Sequence, residues 1–422
     1  MAETEVLSAI ESFFRRDYGR VLAALIHSFG DVDLAEEALG DTLAKAVELW
    51  PSSHTPSNPA GWIYVAARRR AVDMLRRTTR WTHPGGDGLL DRLTVGDPIG
   101  LAIENGSIEI PDERLRLVFM CCHPALNTDA QVALTLRMIG GLTTAEIADA
   151  FLVPEPTLAQ RLVRAKQKIR EAGIPFGIPD NRQMPDRLVA VLAVVYLVFN
   201  EGYFTGTGSI VVRRDLCNEA IRLARLLTEL LPNEPEATGL LALLSLQHSR
   251  RDARLTENGS LILLEDQDRS RWHLDEIDVA RRLVEDALRS RRVGPYQVQA
   301  AIAALHAEAM SYAETDWPQI VALYGVLLRM TPSPVIELNR AVAIAMDKGP
   351  ERGLEAIENA KLGEALDDYR WYHTTLGRLL QKAGRPSEAV RAYQTALSRI
   401  TNQSEREYVE ERLRMLGDVA PA

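Results

Sequence analysis

Apolar residues recur along most of this chain three to four positions apart, the spacing that lines one face of an α-helix. Leu22, Leu25, Ile26 and Phe29 form one such stripe. Leu34, Ala38, Thr42 and Val47 form a second, on a helix opened by Asp31 or Asp33. "PSSHTPSNP" interrupts the pattern with turn-forming residues, and "AGWIYVAARRRAVDMLRRTTR" resumes it. The next stretch, "THPGGDGLLDRLTVGDPIGLAIENGSIEIPDE", has almost no period. Its acids Asp87, Asp91, Asp97, Glu104, Glu109, Asp112 and Glu113 outnumber the single Arg92, so residues 82–111 read as a flexible acidic linker. Helical spacing returns from Glu113 to about Arg170, and "GIPFGIPDNRQMP" breaks it, placing a domain boundary there. Beyond residue 185 the chain is helical again, apart from an irregular insertion near "ENGSLILLEDQDRSRW". The predicted fold is all-α, with two to four domains expected from 422 residues.

Near the C-terminus the pattern repeats. "WPQIVALYGVLL" (317–328), "ERGLEAIENAKL" (351–362) and "PSEAVRAYQTAL" (386–397) share a small-x-x-large arrangement. A period of about 34–36 residues, with Gly384 and Pro386 ahead of the last copy, predicts tetratricopeptide-like helix pairs over residues 311–416. A helical extension domain over 185–310 precedes them.

The stretch "TTAEIADAFLVPEPTLAQRLVRAKQKIR" (143–170) predicts a helix-turn-helix. Thr143 followed by Glu146 is a capping box that starts the first helix. Pro154 and Pro156 start the second, because the first helical N–H groups lack intrahelical acceptors and a missing one costs nothing there. Leu158, Leu162, Ala165 and Ile169 make its buried stripe, while Thr157, Gln160, Arg161, Arg164 and Lys168 point elsewhere. From Pro156 onward Arg161, Arg164, Lys166, Lys168 and Arg170 oppose Glu171 alone, a basic helix suited to the major groove.

Charge changes this picture locally. The whole chain carries a formal charge of -9 and a pI near 5.6, which does not suggest a nucleic-acid binder, but the average conceals patches. Between Gly61 and Arg80, six arginines (Arg68, Arg69, Arg70, Arg76, Arg77, Arg80) face Asp73, interleaved with Trp62, Tyr64 and, just beyond, Trp81. Cations beside aromatic rings suit melted or distorted DNA. The helix between the basic segments, "DVDLAEEALGDTLAKAVELW", is acidic: Asp31, Asp33, Glu36, Glu37, Asp41 and Glu48 against Lys45. Phosphates repel it, so a protein surface is the expected partner.

This order of acidic helix, arginine-rich helix, acidic linker and helix-turn-helix resembles the bacterial RNA polymerase sigma factors of the extracytoplasmic-function group, over about residues 5–171. The resemblance implies that residues 1–81 are sigma region 2 and residues 112–172 are region 4. It further implies that Asp33, Glu36, Glu37 and Asp41 bind core RNA polymerase at its clamp helices, with region 4 at the flap. Trp62, Arg68, Arg69, Arg76, Arg77 and Arg80 would then contact the -10 element, and Thr157, Gln160, Arg161, Arg164 and Lys168 the -35 element. Gly40, Arg69 and Ala159 depart from the family's usual residues. "YLVFNEGY", "RRDLCNEAIRLARLL" and "LLEDQDRSRW" resemble sigma factors with a large fused C-terminal extension, where a protein or ligand partner is expected. The alternative is a helix-turn-helix repressor or activator on a tetratricopeptide scaffold, which would not need the acidic helix.

Other chemistry is expected to be absent. Three cysteines make no disulfide framework, and "CCHP" (121–124) places its ligands too close together for a metal site, so no metal and no cofactor are expected. "FNEGYFTGTG" lacks the Lys-Ser or Lys-Thr of a phosphate loop, and no nucleophile with its base stands out, which excludes an enzyme. The acidic start "MAETEVLSAIESFF" is unlike a signal peptide. The apolar run Leu188 to Phe199 is too short for a membrane helix, so a cytoplasmic protein with no membrane partner is expected.

Overall fold

The computed structural model describes residues 2–53, 55–82, 102–103, 106, 109–151, 153–203, 210–254, 256, 262–400 and 403–417. Among them there is no strand, and no helix is long and apolar enough to cross a membrane. The chain divides into two units, residues 1–198 and 199–422. That division falls inside a helix and lies C-terminal to the break at 173–185.

The first unit begins with α1 (Ala2–Arg16), α2 (Tyr18–Phe29), α3 (Val32–Ser53) and α4 (Pro59–Thr82). Their apolar stripes meet in a core that includes Phe13, Leu22, Leu25, Ile26, Leu39, Trp50 and Ile63, each almost fully buried. Next come α5 (Arg114–Cys121) and α6 (Thr128–Leu134), the latter continuing as a wider π-helical turn over Thr135–Ile139. The helix-turn-helix follows as α7 (Thr144–Ala150) and α8 (Glu155–Glu171). These two groups of helices pack on each other. Gly19 on α2 lies against the backbone of the π-helical turn so closely that a Cβ would sit 2.8 Å from the Ile139 carbonyl oxygen, an approach no larger residue permits. The Arg137 guanidinium stands 5.9 Å from the centroid of the Tyr18 ring.

Most of the acidic segment at 82–111 lies outside the described residues, but its far end is not free of the fold. Ile103 and Ile110 are buried. The Asn58 amide donates to the Ile103 carbonyl at 2.9 Å, and Arg20 donates to the Ile110 carbonyl and to Glu109 at 3.0 Å. Periodicity gave no sign of this, because isolated backbone carbonyls held by polar side chains need no repeat.

Helix α9 (Met184–Tyr203) contains the division between the units. In the first unit its Arg187 donates to the Phe119 carbonyl and stands 5.9 Å from that ring. The second unit continues with α10 (Ile210–Leu230), α11 (Pro235–His248), α12 (Leu274–Arg289) and α13 (Pro295–Glu308). Then come α14 (Trp317–Met330), α15 (Pro334–Lys348), α16 (Pro350–Asn359), α17 (Arg370–Lys382), α18 (Pro386–Arg399) and α19 (Gln403–Gly417). Successive helices pack in pairs, α13 with α14, α15 with α16 and α17 with α18. Gly384 makes the tight turn into α18 at φ 71°, a left-handed conformation that favours glycine. One continuous core joins the last pairs through Leu338, Ile357, Leu379, Tyr393 and Val409.

Candidate nucleic-acid and protein interface

The helix-turn-helix starts as the side chains require. Thr143 donates its backbone N–H to the Glu146 carboxylate at 2.7 Å, and Glu146 returns its own N–H to the Thr143 hydroxyl at 3.2 Å. Pro154 caps α8 and Pro156 sits in its first turn, where no N–H is needed. Leu158, Leu162, Ala165 and Ile169 are buried, so the polar face that flanks them is fixed in direction. Thr157, Gln160, Arg164 and Lys168 on that face are exposed, and Arg161 is half-buried. Arg161 pairs with Asp129 at 3.3 Å, and Arg164 donates to the Gln160 side chain at 3.4 Å. All five line one open groove of about 550 Å³, with Asn127 and Asp129 on its far wall.

Not all the cations of α8 face this groove. Lys166 lies between Asp33 at 3.0 Å and Glu36 at 2.8 Å on α3, and Arg170 pairs with Asp33 at 3.0 Å. Arg137 approaches Glu36 from a third side, at 3.9 Å. Burial works against the Lys166 ammonium, but the hydrogen bonds and charges of Glu36 and Asp33 outweigh it and raise its pKa. Two of the four acids expected to meet a protein partner, Asp33 and Glu36, are therefore engaged by cations of α8 and the π-helical turn. The signal was present in the sequence as one acidic and one basic helix, and was not read as a contact between them.

On α3 the other two acids differ. Glu37 is exposed, whereas Asp41 is held by Arg70 of α4 at 2.6 Å. Arg70 thereby leaves the set of cations open to phosphate. Arg69 and Arg77 are exposed, and Arg68 and Arg76 are half-buried. The Arg80 and Trp81 side chains lie outside the described residues. Of the aromatics, Tyr64 is buried and belongs to the core, which corrects its place beside Trp62 as a stacking ring. Trp62 rests edge-on against Trp50, with centroids 5.4 Å apart. It lines a shallow groove of about 210 Å³ with Lys45, Val65, Arg69 and Asp73.

Cys121 and Cys122 are buried packing residues, and burial raises both thiol pKa values, that of Cys122 to about 11. Among the described residues no cluster of three or more metal-ligating side chains occurs.

Comparison with known proteins decides what this arrangement is. Residues 13–81 match Sigma-70 region 2, and residues 116–169 match Sigma-70, region 4. The chain belongs to the sigma-70 family. Residues 187–288 of this sigma factor match a family of unknown function (DUF6596), so the two sigma regions are followed by a C-terminal extension. A relative from Rhizobium meliloti (strain 1021), uncharacterized protein R00370, is 45% identical over 394 residues, covering 93% of this chain and 92% of its own. Sigma-70 factors bind core RNA polymerase and promoter DNA and initiate transcription without enzymatic chemistry of their own. The region 2 match covers α2, α3 and nearly all of α4, and the region 4 match runs from within α5 through α6 and α7 to nearly the end of α8.

Proposed function

We propose that this sigma factor belongs to the extracytoplasmic-function group and works in the cytoplasm. In this reading α8 reads the -35 element through Thr157, Gln160, Arg161, Arg164 and Lys168. The observation that carries it is the groove where these five side chains meet along the edge of the buried stripe, whose Ala165 forms part of its floor. A planar guanidinium on an exposed helix face can pair two acceptors on a guanine edge, which ties promoter choice to Arg161 and Arg164. Trp62, Arg68, Arg69, Arg76, Arg77 and Arg80 on α4 hold the -10 element, with Arg69 and Arg77 offering the most open charges. Asp33, Glu36, Glu37 and Asp41 meet the clamp helices of the polymerase, which requires that Lys166 and Arg170 release Asp33 and Glu36. The segment 82–111 threads the polymerase channels, where its carboxylates imitate an RNA backbone.

The extension regulates this activity in cis, through helical-repeat surfaces of tetratricopeptide type over residues 311–416. Helix pairs whose second members begin at Trp317, Pro350 and Pro386 support that assignment. The test is transcription from promoter libraries by core polymerase with the full chain and with a chain ending near residue 198. Transcripts that depend on the added chain are expected. DNA binding without transcription favours a repressor. Gain on truncation means inhibition by the extension, loss means a required support, and no change removes the regulatory role.

A further inference from the structure

We propose that the second unit carries a binding site for a phosphoryl group, formed by Arg250, Arg254 and Arg269 around the rings of Tyr203 and Trp272. Three segments bring these residues together: the end of α9, the turn after α11, and the loop before α12. The Arg254 guanidinium lies 3.4 Å from the centroid of the Tyr203 ring and donates to the Tyr203 carbonyl at 2.8 Å. Arg250 donates to the Tyr203 hydroxyl at 3.1 Å and stands 5.8 Å from the Trp272 ring centroid. Arg269 stands 4.5 Å from the same centroid and donates to the carbonyls of His306 and Ala309 at 2.5 and 2.6 Å.

Every acceptor in that set is neutral. Among the described residues no carboxylate comes within ion-pair distance of any of the three arginines; Glu314 favours the Arg269 charge only from farther away, and several neighbouring acids are committed elsewhere. Asp252 holds His273 and Arg214, Glu276 holds Arg251, and Glu265 holds Lys382 and Arg378. The neighbouring acids Glu265 and Asp266 of "LLEDQDRSRW" turn to Arg378, Lys382 and Arg412 rather than to Arg269. Cations gathered out of water without a counter-charge are costly, and an assembly of three calls for an anion. Burial lowers the Arg254 pKa against the pull of Tyr203, with Arg250 adding to the lowering, and burial followed by Arg250 lowers that of Arg269 against Tyr312 and Glu314. Burial and then Arg250 and Arg269 push His306 down to about 3, so it is neutral and does not add to the positive charge.

The second observation is donors without acceptors. Among the described residues, Arg269 Nη2 and Trp272 Nε1 are buried with no hydrogen-bond partner, and both can only donate. Buried polar groups are nearly always satisfied, so two obligate donors beside three guanidinium groups point to an absent acceptor rather than to tolerance. A carboxylate brings one charge and two oxygens. A phosphoryl group brings up to two charges and three oxygens, which fits three planar forks better. The five residues all fall inside the stretch matching the family of unknown function, and the site is independent of whether the extension regulates the sigma regions.

Isothermal titration of the full chain at fixed ionic strength tests this, with inorganic phosphate, pyrophosphate and glycerol phosphate as probes and chloride as control. One saturable site per chain is expected, weakened by about tenfold or more in Arg250→Gln and Arg254→Gln and unchanged in Arg289→Gln, an exposed arginine elsewhere in the unit. Tighter binding of the phosphomonoester identifies a phosphorylated small molecule, and tighter binding of inorganic phosphate identifies the free ion. Arginine modification of the unaltered protein by phenylglyoxal, mapped by mass spectrometry, needs no variant. Phosphate is expected to protect Arg250, Arg254 and Arg269. Absence of a saturable site for all three probes, or protection that does not map to these arginines, overturns the proposal.

Discussion

At the scale of single residues, α8 separates packing from recognition by neighbouring positions. Leu162 is buried and Val163 is 58% exposed, so the two should respond oppositely to truncation. Leu162→Ala is expected to cost about 2–5 kcal/mol by loss of burial and the cavity left behind, and Val163→Ala close to nothing. Urea unfolding of the two variants checks this; equal losses would mean that the stripe is misplaced. The stripe and the proline start were legible because a 3.6-residue period and a missing N–H act locally. Tyr64 was not, since an aromatic beside arginines looks the same in sequence whether its ring packs inward or outward. The engagement of Asp41 by Arg70 was hidden for a similar reason, as a charge count does not say which pairs close.

Between elements, the main departure from the sequence reading is the contact of α3 with α8. Lys166 and Glu36 are largely shielded from solvent, with 23% and 16% of their side chains exposed, so this cluster is screened less by salt than an open surface pair. If the same acids meet the polymerase, Lys166→Glu should release them. Core polymerase is expected to bind the variant more tightly by about fivefold at low salt, an energy of about 1 kcal/mol. The difference should shrink as salt rises and weakens the clasp in the unaltered chain. Competition binding at several ionic strengths measures both effects, and identical affinities throughout would show that the clasp does not control access. Helical order and opposite charge were readable along the chain, while partner choice between two helices 130 positions apart depends on packing around Gly19 and the π-helical turn. The buried ends of the acidic segment at Ile103 and Ile110 escaped notice for the same reason.

Across the whole molecule, two histidines, one buried and one half-buried, set a pH dependence. Burial, then Arg251, lowers the His248 pKa to about 4 against the pull of Glu276, with His273 adding to the lowering. His306 falls to about 3 beside Arg250 and Arg269. Both groups are depressed below their ordinary value of 6.5, so their contribution is fully present above that pH. It is lost as pH falls, because the unfolded chain takes up protons that the folded chain refuses. Stability should therefore decline between about pH 6.5 and 5, before most carboxylates titrate. Urea midpoints across that window test it, and a flat profile would mean that the histidines are more open to water than the fold allows. The all-helical architecture and the two sigma regions were evident from periodicity and motif order. The arginine site of the extension was not, because its residues come from three segments that no repeat or motif connects.

The most direct test of the central claim, that α8 chooses the promoter, is transcription by core polymerase from a library randomised at the -35 and -10 elements. The full chain and its Arg164→Ala variant are compared. Discrete chain-dependent starts are expected, and in the variant a relaxed preference at one -35 position worth about 1–3 kcal/mol, with the -10 preference unchanged. An unaltered -35 preference, or a loss equal across all sequences, would contradict it.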